Sequence, residues 1–200
     1  MEHSEPIEIS DETLVERFMA GDVTAFDTII ERHQHKVYAI AYRMTRNRED
    51  SLDITQEVFL RAHRSVGQWR PLRKFRHWLY RIATNMTIDV LRKRQRRAGV
   101  IVDGEDFSMD RGSAAPSNGR DPIERITLEE MGGQIGKAIE KLPERQRSVI
   151  VLRYYEDMSI KEIAAVVGCT EGTVKTHLFR ATGKLRDLLG YMRNSEQTDE

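Results

Sequence analysis

Apolar residues recur at intervals of three and four along most of these 200 residues, and the pattern lapses over one long stretch, from about Ala98 to Arg120. A period near 3.6 marks amphipathic helices, whereas strands would need alternation. The chain is therefore expected to be all-α, with two helical blocks flanking the lapse. Leu14, Val15 and Phe18 give the first block a short apolar face, closed by Gly21. Asp22 is placed to cap a second helix carrying Phe26, Ile29, Ile30, Val37, Ile40, Ala41 and Met44. Residues 49–64 form a third, with Leu52, Val58, Phe59 and Ala62 expected inside. Gly67 and Pro71 interrupt, and residues 75–94 make a long fourth helix with Trp78, Leu79, Ile82, Ala83, Met86, Ile88 and Leu91 on its apolar side. After Asp121-Pro122, helices are expected over 123–142, 143–155, 159–167 and 170–189.

The lapse holds Gly99, Gly104, Gly112, Pro116 and Gly119 among acids, the composition of a flexible linker. The organisation expected is two small helical domains, 10–97 and 122–189, joined by a flexible acidic linker, 98–121. Residues 1–9 and 190–200 read as disordered ends. Whether the two domains pack on each other stays open at this stage.

Net charge is zero, with 32 basic and 32 acidic residues, but the charge is segregated. Arg70 to Arg97 holds ten Lys or Arg against one acid, Asp89. From Asp103 to Glu130 eight acids face three Arg. Local field governs attraction to phosphate, so the zero average does not argue against a nucleic-acid partner. A single cysteine, Cys169, excludes an internal disulfide or a cysteine zinc site. No signal peptide or membrane span is visible, and a cytoplasmic protein without membrane insertion is expected. The histidines and carboxylates show no metal-ligand spacing, and no glycine-rich phosphate loop or nucleophile constellation is present, so neither an enzyme nor a cofactor or metal is expected.

Two segments point to function. Residues 159–180 have the spacing of a helix-turn-helix: Ala164 inside the first helix and Gly168 at the turn permit close approach. Val174 and Leu178 would anchor the second helix against Ile160, Ile163 and Val167. Lys175, Thr176, Phe179 and Arg180 then face outward, where such a helix reads the major groove. Earlier in the chain, Trp69, Phe75, Trp78 and Tyr80 are interleaved with Arg73, Lys74, Arg76 and Arg81, and Asn85 lies two turns beyond Trp78. Cations beside aromatics suit single-stranded nucleic acid, holding phosphates while bases stack or are hydrogen-bonded. Together they describe a chain that locates a duplex site and helps to open it.

In these segments and three others the chain resembles the bacterial sigma-70 family, in its extracytoplasmic-function (ECF, group 4) branch. The resemblance rests on Gly21-Asp22-Val-Thr-Ala-Phe26, Asp53-Ile-Thr-Gln56-Glu57-Val-Phe59, Phe75-Arg-His-Trp78-Leu-Tyr-Arg-Ile-Ala83, Leu142-Pro143-Glu-Arg-Gln146 and the helix-turn-helix. It implies an alternative sigma factor in which residues 10–97 correspond to region 2 and 122–189 to region 4. Region 2 would dock on the clamp helices of the polymerase β′ subunit through Asp53, Gln56, Glu57 and Phe59. It would hold the −10 promoter element as single strand through Trp69, Arg73, Lys74, Arg76, Trp78, Arg81 and Asn85. Region 4 would read the −35 duplex with Arg153, Lys175, Thr176, Phe179 and Arg180 and touch the β flap. Core RNA polymerase, promoter DNA and an anti-sigma factor are the partners implied. The loop from Arg70 to Phe75 is more basic than the family pattern, and His177 stands where the family often has Arg, which would make one phosphate contact depend on pH. The alternative is a one-component helix-turn-helix regulator, which has no need of the basic-aromatic helix.

Overall fold

The computed structural model describes residues 9–71, 74–97 and 131–196, with side chains from 133 to 190 in the last stretch. These residues form eight α-helices and one 3₁₀ turn, with no strand among them. The N-terminal helices are α1 (Asp11–Met19), α2 (Thr24–Thr45), α3 (Arg48–Ser65) and α4 (Phe75–Arg97), with the 3₁₀ turn Val66–Gln68 after α3. The C-terminal helices are α5 (Met131–Glu140), α6 (Glu144–Tyr154), α7 (Ile160–Val167) and α8 (Glu171–Glu196).

Local chemistry sets the helix ends. Ser10 accepts a hydrogen bond from the Thr13 N–H and Asn47 accepts one from the Asp50 N–H at 2.9 Å, each satisfying a donor that a helix start leaves over. Asp22 takes the Thr24 N–H at 3.2 Å and its hydroxyl at 2.6 Å, although α2 begins two residues later. Ser159 and Glu162 form a reciprocal capping box at the start of α7. The α4 start is held from outside the helix: Glu12 of α1 accepts the Phe75 N–H at 2.9 Å. Two expectations need correction. Leu52 faces outward, 50% exposed, because the inward stripe of α3 is Ser51, Ile54, Val58 and Ala62. Helix α8 continues to Glu196, past the expected end at Leu189, since Gly190 keeps helical backbone and a mid-helix glycine costs only about 1 kcal/mol against alanine. The part of the expected 123–142 helix before Met131 lies outside the described residues.

Buried side chains from both halves belong to one connected apolar cluster. Phe26, Ile29, Ile40, Met44, Phe75 and Leu79 join Val149, Leu152, Ile163, Val167 and Val174 in it. A smaller cluster, Ile139, Leu142, Ile150 and Ala181, ties α5, α6 and α8 together. Helix α6 lies at the centre, and even Glu144, Gln146, Arg147 and Ser148 are buried there. The Arg147 guanidinium donates to the carbonyls of Met44 at the end of α2, Glu140 at the end of α5 and Leu142 beyond it. Arg43 meets Glu156 at 3.0 Å and lies over the Tyr155 ring at 4.4 Å. Arg46 rests against α5 where Gly136 has no side chain; a Cβ there would come within 2.6 Å of its guanidinium carbon.

Candidate nucleic-acid interface

The helix-turn-helix is α7 and the first turns of α8. Gly168 ends α7 in the left-handed region, φ 77°, which a residue with a side chain would adopt only under strain. Ala164 and Val174 are buried at the crossing, and Thr170 accepts the Thr173 N–H at 3.1 Å to start α8. Val174, His177 and Ala181 form the inward stripe of α8, three and four residues apart. Lys175, Phe179 and Arg180 are thereby turned to solvent, and Phe179 is 69% exposed. An apolar ring that open on a helix bearing Lys and Arg has no packing role and can meet a thymine methyl. Thr176 is half-buried and its hydroxyl bonds the Gly172 carbonyl at 3.1 Å. Arg153 sits outside this cluster at the end of α6, exposed, and donates to the Met158 carbonyl at 2.9 Å. His177 is 6% exposed, which corrects the expectation of a pH-dependent phosphate contact there: the inward stripe puts its ring inside. Cys169 is half-buried, and burial pushes its thiol up to about 11, the behaviour of a filler and not of a reactive thiol.

On α4 the structure separates the expected residues. Phe75, Leu79 and Tyr80 are buried, and burial raises the Tyr80 hydroxyl above its ordinary value. Trp69 is also buried, packed edge-on to Phe75 at 6.0 Å, so it belongs to the core and offers no free face for a base. Trp78 is half-buried, 5.4 Å from the Phe75 ring. With exposed Arg81 and Asn85 it forms one stripe at intervals of three and four. Lys74 is exposed just before the helix begins. Arg76 lies roughly half a turn round the helix from that stripe and pairs with Glu162 of α7 at 3.0 Å. Arg73 lies outside the described residues.

A third surface was only half visible in the sequence. Helices α2 and α3 leave a groove of about 630 Å³ lined by Val23, Phe26, Ile30, Leu52, Phe59 and Leu60, with Asp27, Asp53, Gln56 and His63 also on its lining. Of the four positions expected there, Asp53 and Gln56 are exposed on the groove and Phe59 is 7% exposed in its floor. Glu57 is exposed on α3 but is not on the groove lining. Val23, Leu52 and Leu60 are 68%, 50% and 43% exposed, more apolar area than scattered surface residues need. The signal that could have found it is the pair Leu52 and Leu60, eight residues apart and off the inward stripe.

Residues 29–97 match the family model described as "Sigma-70 region 2", and residues 132–185 match "Sigma-70, region 4". The RNA polymerase sigma-H factor of Pseudomonas aeruginosa is 35% identical over 172 residues, covering 86% of this chain and 89% of that protein. The ECF RNA polymerase sigma factor SigW of Bacillus subtilis is 35% identical over 178 residues, covering 88% and 94%. The chain belongs to the ECF sigma factors of the sigma-70 family. This sigma factor is thus a non-enzymatic initiation factor that directs RNA polymerase to promoters, and the one-component regulator is not favoured. Its fold is similar to CnrH in the structure of CnrH with the cytosolic domain of CnrY, at TM-score 0.64 and 26% identity, covering 90% of this chain and 97% of that one. Among the described residues no helix is long and apolar enough to cross a membrane, and no group of His, Cys, Asp and Glu could hold a metal ion.

Proposed function

We propose that the three surfaces divide the work of promoter recognition. The α2–α3 groove receives a helical element of core RNA polymerase, the β′ clamp helices, with Leu52, Leu60 and Phe59 as apolar contacts and Asp53 and Gln56 beside them. Glu57 adds charge on the same helix. The stripe Trp78, Arg81 and Asn85, with Lys74 at its head, holds the −10 element as single strand, the cations on phosphates and the ring and amide on bases. Arg73 and Arg76 supply further charge at the same end of α4. Helix α8 enters the major groove of the −35 duplex with Lys175, Thr176, Phe179 and Arg180, and Arg153 contacts the DNA backbone; the β flap meets the same C-terminal half. The observation that carries this reading is the exposed apolar groove, which a regulator acting on DNA alone would not need. An anti-sigma factor is a further proposed partner, supported by the likeness to CnrH, which was seen bound to the cytosolic domain of CnrY. The cytoplasm, where the polymerase acts, is the proposed location.

Arg180→Ala is expected to weaken −35-dependent initiation by about 1–3 kcal/mol if it reads a base, and to relax preference at one position. Quantitative transcription from a matched promoter and from single-base variants checks it. An unchanged rate on all templates removes the residue from the reading helix's role.

A further inference from the structure

Helix α4 carries the proposed strand-binding stripe, yet its own sequence gives it a poor start. Lys74 stands immediately before the helix, and an ammonium group has no acceptor for the N–H groups that a helix start leaves over. The first turn, Phe75-Arg-His-Trp78, holds no acid to meet the positive end of the helix dipole. Cations at this end suit phosphate and not the helix. The acceptor comes instead from 63 residues earlier in the chain: Glu12 Oε1 takes the Phe75 N–H at 2.9 Å.

The Phe75 N–H belongs to the planar Lys74–Phe75 peptide, so this one bond orients that plane and the backbone from which Lys74 projects. Trp78 follows within the same turn, its ring 5.4 Å from that of Phe75. Glu12 stands on a fixed support. Helix α1 buries Leu14 and Val15, and Asp11 accepts from Arg32 at 3.2 Å and lies 2.7 Å from His33 Nε2, both on α2. The place is otherwise a poor one for a carboxylate. Asp11 and Glu12 share a cleft of about 400 Å³ with Pro71, Lys74 and Arg76, where their charges oppose the arrival of phosphate.

We propose that Glu12 is a positioning residue for the −10 strand: from α1 it fixes the Lys74–Phe75 peptide and so presents Lys74 and Trp78 to the strand. The proposal rests on α4 being the strand-binding surface. Positioning and bare electrostatics predict opposite signs here. Removing the carboxylate strengthens strand binding if charge alone counts, and weakens it if the Phe75 N–H must be held.

The test uses core RNA polymerase carrying the full chain, and a short non-template strand spanning the −10 element of a promoter mapped by run-off transcription. Glu12→Ala is expected to lower affinity for that strand about fivefold, the usual effect of losing a helix-start acceptor. Glu12→Gln keeps a side-chain oxygen for the N–H and drops the charge, so it is expected to bind the strand at least as tightly as the unaltered chain. Amide hydrogen exchange in the free chain reads the contact itself: Phe75 should exchange about fivefold faster in Glu12→Ala and at the native rate in Glu12→Gln. Affinity for core polymerase should not change in either variant, because the groove lies on α2 and α3. Strand affinity that rises or stays level in Glu12→Ala, while Arg81→Ala lowers it, overturns the positioning role and leaves α4 as the strand surface. An equal loss in Glu12→Gln, or equal losses of strand and core affinity in Glu12→Ala, also overturns it. Unchanged strand affinity in Arg81→Ala as well would show that α4 is not the strand-binding surface, and the proposal falls with that reading.

Discussion

Replacing Leu52 and Leu60 together with aspartate is expected to reduce affinity for core RNA polymerase at least a hundredfold while leaving the fold intact. Both side chains are exposed, 50% and 43%, so neither substitution buries a charge in the free protein. Both line the groove over Phe59, and a helix docked there would desolvate them with no partner for the new carboxylates. Losses of about 2–4 kcal/mol are usual when a central apolar contact is removed, and unpaired buried charge adds to them. Titration of core polymerase against labelled protein gives the affinity, and thermal unfolding shows that stability is kept. A small change in affinity would mean the polymerase binds elsewhere on the chain. Charge reversal at Asp53 and Glu57 is expected to have a smaller effect, because both lie in solvent on the free protein.

Arg147→Met should lower stability by about 3 kcal/mol, the largest single-site effect expected outside the apolar core. Its guanidinium satisfies three carbonyls at two helix C-termini, where no intrahelical donor is available. It also sits where the helix dipoles favour a cation. Methionine fills comparable space but donates nothing, and each abandoned buried acceptor costs about 1 kcal/mol or more. For a chain of this size that corresponds to a fall in Tm of roughly 6–12 °C. Arg147→Lys should recover only part, since one ammonium cannot span acceptors that a planar fork reaches. Unfolding that is unaltered in Arg147→Met would show that water replaces the guanidinium without loss.

Arg147 also shows where the sequence misleads. Glu144-Arg-Gln-Arg147-Ser148 is polar throughout, yet α6 is packed by α2, α4, α7 and α8, touches α5 through Ile139 and the Glu140 carbonyl, and buries four of those five side chains. Polar composition says nothing of such enclosure, because the satisfying carbonyls come from residues 44, 140 and 142, and the first of these is remote in sequence. The helix-turn-helix, in contrast, was legible almost residue by residue. Its requirements are local: a small residue at Ala164, a left-handed turn at Gly168 and an anchor at Val174, all found in place. His177 was misplaced because a family pattern, not its position on the inward stripe, guided the expectation. Leu52 was misplaced because hydrophobicity was read as burial, although an interaction surface needs exposed apolar groups too. Trp69 was expected at a base because it stands among cations in the sequence; the 3₁₀ turn after α3 instead leaves its ring buried against Phe75.

Run-off transcription with purified core RNA polymerase and the full-length chain, on genomic fragments, tests the central claim most directly. The account predicts stoichiometric binding to core and new, discrete start sites that depend on both Arg180 and the α4 stripe. Tight binding of duplex DNA by the chain alone, with no association with core and no new start sites, would contradict it.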